Sequence, residues 1–191
     1  MANFNRRDPI TFRRLVGLGM LALVFSVMQG GATSAIAAAD NSAALAKTSV
    51  ALLSVRLQND NEELDPTSDA ERARLVQIGD QFKASLEDSG RFQFVAIPAD
   101  VKTKIEAGQF IGDCRGCEVE FGKQLNSDLI AWITVQKVSN LILNLNVYMA
   151  DVTTNKMTFV HSVDIRGNTD ESWSRSLKYL LDNYFFQNVS Q

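Results

Sequence analysis

Residues 129–166 read LIAWITVQKVSNLILNLNVYMADVTTNKMTFVHSVDIR, and this stretch decides the fold. From Leu141 to Val152 apolar and polar residues alternate. Leu141, Leu143, Leu145, Val147 and Met149 face one way, while Asn144, Asn146 and Tyr148 face the other. Strict period-two alternation predicts a strand with one buried face. Leu129 to Val138 before it is apolar and β-branched, and Lys156 to Arg166 after it alternates again. The joins Ser139-Asn140 and Thr153-Thr154-Asn155 are short and polar, as hairpin connections require. Three strands in a row make an antiparallel meander.

Outward from the meander the period changes. Leu75, Ile78, Phe82 and Leu86 recur at spacings of three and four, one face of a helix. Ser68 or Asp69 caps its start and Gly90 follows its end. Thr48 to Leu57 before that helix, and Arg91 to Ile97 after it, read as strands, the first two of the sheet and parallel because a helix joins them. Gln58 to Ser68 is an acidic loop holding Pro66. Asp100 to Gly112 is open between a short helix around Val101 to Ala107 and a loop. Cys114 to Asn126 predicts a helix with Val119, Gly122 and Leu125 on one side. At the end, Asn168 with Glu171 three residues on predicts a capping box, and Trp173, Leu177, Leu180, Leu181 and Tyr184 form the buried face of a last helix. The order β-α-β-(α)-α-β-β-β-α predicts an α/β fold: a mixed five-stranded sheet with helices packed on it.

The first 39 of the 191 residues read as a cleaved export signal. Arg6, Arg7, Arg13 and Arg14 precede an apolar run from Leu15 to Met28, and Ala35-Ile36-Ala37 and Ala37-Ala38-Ala39 offer cleavage sites. The run falls short of the roughly 20 apolar residues of a membrane span. Neither arginine pair has the flanks of a twin-arginine signal, so the general secretory route is expected, with a retained amino-terminal anchor as the alternative. The expectation is one secreted α/β domain over residues 40–191, located in the periplasm, with no stable membrane anchor after cleavage. Taking the four leader arginines and Asp8 from 19 basic and 22 acidic residues leaves 15 and 21, a net charge of −6. Nucleic acid and anionic lipid reward a cationic face, so neither is an expected partner.

Chemistry is sparse. Cys114-Arg115-Gly116-Cys117 holds both cysteines of the chain, three apart, in a compartment that oxidises thiols. A structural disulfide clasp and a thiol–disulfide exchanger with Cys114 as nucleophile both fit. Asp113 would raise the thiol pKa, which favours the clasp. A metal reading needs two more ligands, and the single histidine, His161, shares an apolar strand face with Phe159, Val163 and Ile165, so no metal and no cofactor are expected. Two polar clusters remain: Gln136, Lys137 and Asn140 at a hairpin, and Arg166, Asn168, Asp170 and Trp173 at a strand-to-helix turn. Turn and cap chemistry accounts for part of both. If the clusters face each other across the meander, they form a candidate binding surface.

These motifs carry a resemblance. Cys114-x-x-Cys117-Glu118, the run Val135 to Asn144, and the run Asp164 to Trp173 resemble the bacterial secreted proteins grouped as domains of unknown function 2380 and 3280. The strand–helix order is similar to the amino-terminal domain of the TolB family and to curli-secretion lipoproteins, although no lipid-acceptor cysteine lies in or just after this leader and no propeller is expected after this domain. The resemblance implies no transferable activity. It implies assembly or interaction modules, some encoded near periplasmic quinoprotein alcohol-oxidation systems. A non-enzymatic accessory protein that binds another periplasmic protein is the first expectation. A thiol oxidoreductase using Cys114 and Cys117 is the second. A small-ligand binder, using a cavity between the meander and the last helix, is the third.

Overall fold

A computed structural model describes residues 46–188 of the chain; the expected leader lies outside them. The order is β1 (Thr48–Asn59), α1 (Asp69–Asp88), β2 (Phe92–Phe94), α2 (Ala99–Ala107), α3 (Cys117–Gln124), β3 (Leu129–Lys137), β4 (Ile142–Asp151), β5 (Lys156–Arg166) and α4 (Asp170–Leu180). One wide π-helical turn, Leu181–Phe185, and a short α5, Phe186–Asn188, extend α4. The strands form one mixed sheet in the order β2-β1-β3-β4-β5. β1 is parallel to β2 and to β3, and β3, β4 and β5 are the antiparallel meander. The mixed five-stranded α/β sheet with helices packed on it is the one that the sequence pattern predicts; that helices cover both faces is added by the structure.

Alternation settles which side of each strand is covered. Val135, Leu143, Leu145, Val147, Met149 and Ile165 share one face, buried under α1 and α4 with Ile78, Phe82, Leu86, Trp173 and Leu177. The opposite face buries Ala51, Leu53, Ile130, Trp132 and Val152 under α2 and α3 through Val101, Val119 and Leu125. Gly122 lets α3 lie close. A Cβ there would stand 2.5 Å from a Val152 methyl and 2.7 Å from an Ile130 methyl. The amino ends of β1 and β3 are joined by Asp128, whose Oδ2 accepts from the Ser49 amide at 2.8 Å and its hydroxyl at 2.7 Å. The Ser49 hydroxyl and amide hold the Asp128 carboxyl below its ordinary pKa.

Several boundaries differ from expectation for physical reasons. The helix expected from Cys114 begins at Cys117, because Arg115 (φ 56°) and Gly116 (φ 112°) are left-handed and cannot continue a helix backward. The Val101–Ala107 segment is helical, from Ala99. Leu141, expected on the buried strand face, is 75% exposed at the hairpin before β4 starts. Thr169, not Asn168, caps α4, with Ser172 in place of Glu171 as the reciprocal partner.

Candidate functional site

The carboxyl ends of β1 and β3 meet the amino end of α1, the place where an open α/β sheet leaves room for a ligand. Here the chain's own polar groups occupy it. Ser68 caps α1, its hydroxyl accepting from the Glu71 amide at 3.2 Å. Glu71 returns the bond: Oε2 accepts from the Ser68 amide at 2.7 Å and the Ser68 hydroxyl at 2.9 Å. Its other oxygen, Oε1, accepts from Lys137 Nζ at 2.9 Å and Asn168 Nδ2 at 2.7 Å. Lys137 Nζ reaches Asp65 Oδ2 as well, at 2.8 Å.

Asn168 is the crossing point. Its amide also donates to Asn140 Oδ1 at 3.0 Å, while its oxygen accepts from Trp173 Nε1 at 3.0 Å and Arg74 Nη1 at 3.0 Å. Arg74 Nε in turn donates to Asp170 Oδ1 at 2.7 Å. Four bonds use the whole hydrogen-bonding capacity of the Asn168 amide, which is why the neighbouring Thr169 takes over the cap.

Electrostatics follow from burial and pairing. Loss of water would raise the Glu71 pKa, but the Ser68 amide, Lys137, Asn168 and the Ser68 hydroxyl outweigh it and hold the carboxyl at about 2. Burial likewise pulls the Lys137 ammonium down, and its bonds to Asp65 and Glu71 more than restore it, leaving the pKa raised. Both groups are therefore charged across the ordinary pH range.

Of the residues named from sequence, Lys137, Asn140, Asn168, Asp170 and Trp173 come together here. Lys137 (4% exposed) and Trp173 (1%) lie beneath the surface, a correction to their place on a candidate contact face. Gln136 points to the opposite side of the sheet, where it lines a separate polar recess. Arg166 is exposed and pairs with Asp164 at 2.8 Å, outside the network. Glu71, Asp65 and Arg74 complete the network without belonging to either polar cluster. Ser68-x-x-Glu71 before an apolar run is a capping-box signature that points to the first; nothing local marks the other two.

Cys114 and Cys117 are bonded, with Cα atoms 5.5 Å apart, across the left-handed turn into α3. Glu118 sits beside them, its carboxylate accepting from the Gly112 amide at 2.7 Å and the Gly116 amide at 3.0 Å. Sulfurs and carboxylate lie within 4.8 Å of one another, but bonded cysteines offer no thiolate to a metal. Where the amino ends of β1, β2 and β3 meet β5 and the π turn, an apolar cavity of about 580 Å³ is lined by Thr48, Phe92, Leu129, Phe159, His161 and Phe185 among others. His161 stacks on Tyr184 with centroids 4.4 Å apart. Among the described residues, no helix is long and apolar enough to cross a membrane.

Solved structures similar to this chain include the LpoB C-terminal domain from Salmonella enterica, at 14% identity and a TM-score of 0.45 over 63% of this chain and 84% of that one. Lipoprotein GNA1162 from Neisseria meningitidis is similar at 13% identity and 0.44, over 75% and 97%. TolB from Acinetobacter baumannii is similar at 12% identity and 0.39, over 72% of this chain and 29% of that one. No curated protein matches. The run that holds the cysteine clasp, the meander and the Asn168 turn falls inside one family match, residues 48–185, and the chain belongs to the family described as DUF3280, protein of unknown function (DUF2380).

Proposed function

We propose that this chain is a non-enzymatic accessory protein of the periplasm that docks another exported protein at the carboxyl edge of its sheet. One observation carries the reading. Leu64 (88% exposed), Val138 (59%) and Leu141 (75%) project from two loops that Asp65, Lys137 and Asn140 tie together. Large apolar side chains held out on braced loops favour a protein partner. In this reading Asn140, Arg166 and Asp170 supply the polar rim, Lys137, Asn168 and Trp173 hold it rigid from below, and Gln136 serves the other face.

The clasp is favoured over the exchanger by its setting: the disulfide spans the left-handed turn into α3, and Glu118 bonds the Gly112 and Gly116 amides of the same turn. A quinoprotein alcohol-oxidation system is the partner class that the family resemblance brings forward, and it is tested as such. Tagged mature protein should retain a partner from periplasmic extract. Leu64→Asp with Leu141→Asp should release that partner without lowering the melting temperature, whereas Cys114→Ser with Cys117→Ser should keep it. Retention by the leucine variant would sink the reading. Release by the cysteine variant alone would favour the exchanger.

A further inference from the structure

The face of the sheet under α2 and α3 is apolar only as far as Trp132 and Tyr148, which stack with centroids 5.2 Å apart. Beyond them it turns polar in two rows. Arg56, Thr134, Asn146 and Ser162 are register partners across four strands, and so are Gln58, Gln136, Asn144 and Asp164. Strands lie about 4.8 Å apart, so each row is a ladder of hydrogen-bonding groups roughly 14 Å long. Sheet stability does not ask for this, because β-branched and aromatic residues pair better across strands. The ladder ends in a recess of about 230 Å³ whose polar lining includes Arg56, Gln58, Thr134, Gln136, Asn146 and Tyr148.

Arg56 is the unusual member. Its Nε is buried and has no hydrogen-bond partner, the single such side-chain atom among the described residues. An unmet buried donor is destabilising, because it has given up water and gained nothing in return. The same guanidinium gives only one long bond, Nη2 to Asp113 Oδ2 at 3.3 Å, and Asp113 is 67% exposed. Phe110, 65% exposed, covers the guanidinium with its ring centroid 4.4 Å from the central carbon. The Nε–Nη2 edge is the edge that takes a carboxylate by two parallel bonds. Asp113 uses half of it.

We propose that this recess binds a small hydroxy acid. Its carboxylate displaces Asp113 and takes Nε and Nη2 of Arg56, as the Phe110 ring moves aside. Its hydroxyls bond to Gln58 and Gln136, whose amides both donate and accept, and donate to Asn146 Oδ1, since Asn146 Nδ2 already donates to the Thr134 and Asn144 carbonyls at 3.3 and 3.5 Å. The volume limits the ligand to a few carbons. This site lies on the opposite face from the Lys137–Glu71 network and is independent of the docking proposal.

The test is a titration of isotope-labelled mature protein, followed by NMR, with three probes: glycerate, acetate (the carboxylate alone) and glycerol (the hydroxyls alone). Glycerate should shift the Arg56 Nε–H and Gln136 amide signals saturably, with an affinity about tenfold or more above either control. Gln136→Leu should weaken glycerate about tenfold at an unchanged melting temperature, and Arg56→Lys, which keeps the charge but loses the fork, should remove the preference over glycerol. If Arg56→Lys does not fold, Gln136→Leu decides alone. An equal response to acetate, no response, or wild-type binding by the variants each overturns the proposal.

Discussion

Glu71 and Lys137 form an ion pair at 2.9 Å with side chains only 2% and 3% exposed. Each would be costly to bury alone; Lys137 is paired by Glu71 and Asp65, and Glu71 by Lys137, Ser68 and Asn168. A buried pair is weak as a source of net stability but severe when broken.

Lys137→Ala should therefore destabilise by about 3–5 kcal/mol, since it strands the Glu71 carboxylate. The double change Glu71→Gln, Lys137→Met should recover a large part of that loss. Denaturant unfolding of Glu71→Gln alone, Lys137→Met alone and the double gives the coupling energy directly, and additive effects would contradict a shared network.

Acid should weaken the fold through the same carboxyl. Glu71 titrates at about 2 when folded, against an ordinary value of 4.5, so the unfolded chain takes up the proton first as pH falls. Its contribution is complete above pH ~5 and fades between there and ~2, a loss of roughly 3 kcal/mol for a shift of this size. Melting temperatures from pH 7 to 2.5 should fall less steeply in Glu71→Gln than in wild type.

The cysteine clasp should matter little to global stability. A loop this short is worth about 2 kcal/mol on the chain-entropy account. Cys114→Ser with Cys117→Ser should keep the circular dichroism spectrum, while amide exchange should quicken first around residues 112–118. A collapse of the whole fold would mean that the clasp supports more than its own turn.

Gly122→Ala tests how α3 is seated. The added carbon would fall 2.5 Å from Val152 and 2.7 Å from Ile130, so the helix must lift or the methyls must shift. Overpacking of this kind costs about 1–3 kcal/mol. Unfolding curves should show that loss, and an alanine variant as stable as wild type would mean that α3 is not held this close.

Where the periodicity was strong, it carried the fold. Leu143, Leu145, Val147 and Met149 are all buried on one side of β4, and Ile78, Phe82 and Leu86 on one side of α1. Leu141 broke the same pattern because alternation cannot say where a hairpin ends. The α3 boundary was misplaced because Arg115 pays no visible toll in sequence for a left-handed backbone. The Lys137–Asn168 side of the network was legible as two polar clusters in one meander, and the 3.0 Å bond from Asn168 to Asn140 joins them. Asp65 and Arg74 were not legible, because their partners lie far along the chain and no local pattern distinguishes them from solvated charges. Gln136 and Arg166 were grouped with the clusters by nearness in sequence, yet strand pleating sends Gln136 through to the other face.

The Asn168–Glu71 bond closes a span of 97 residues. The bond is a side-chain contact that needs α1, β3 and the Asn168 turn already in place, so we predict that it forms after the strands have paired. Glu71 is in this sense a latch, dropped once the sheet is assembled. Damage to it should leave the speed of folding nearly intact and express itself as a shorter lifetime of the finished molecule.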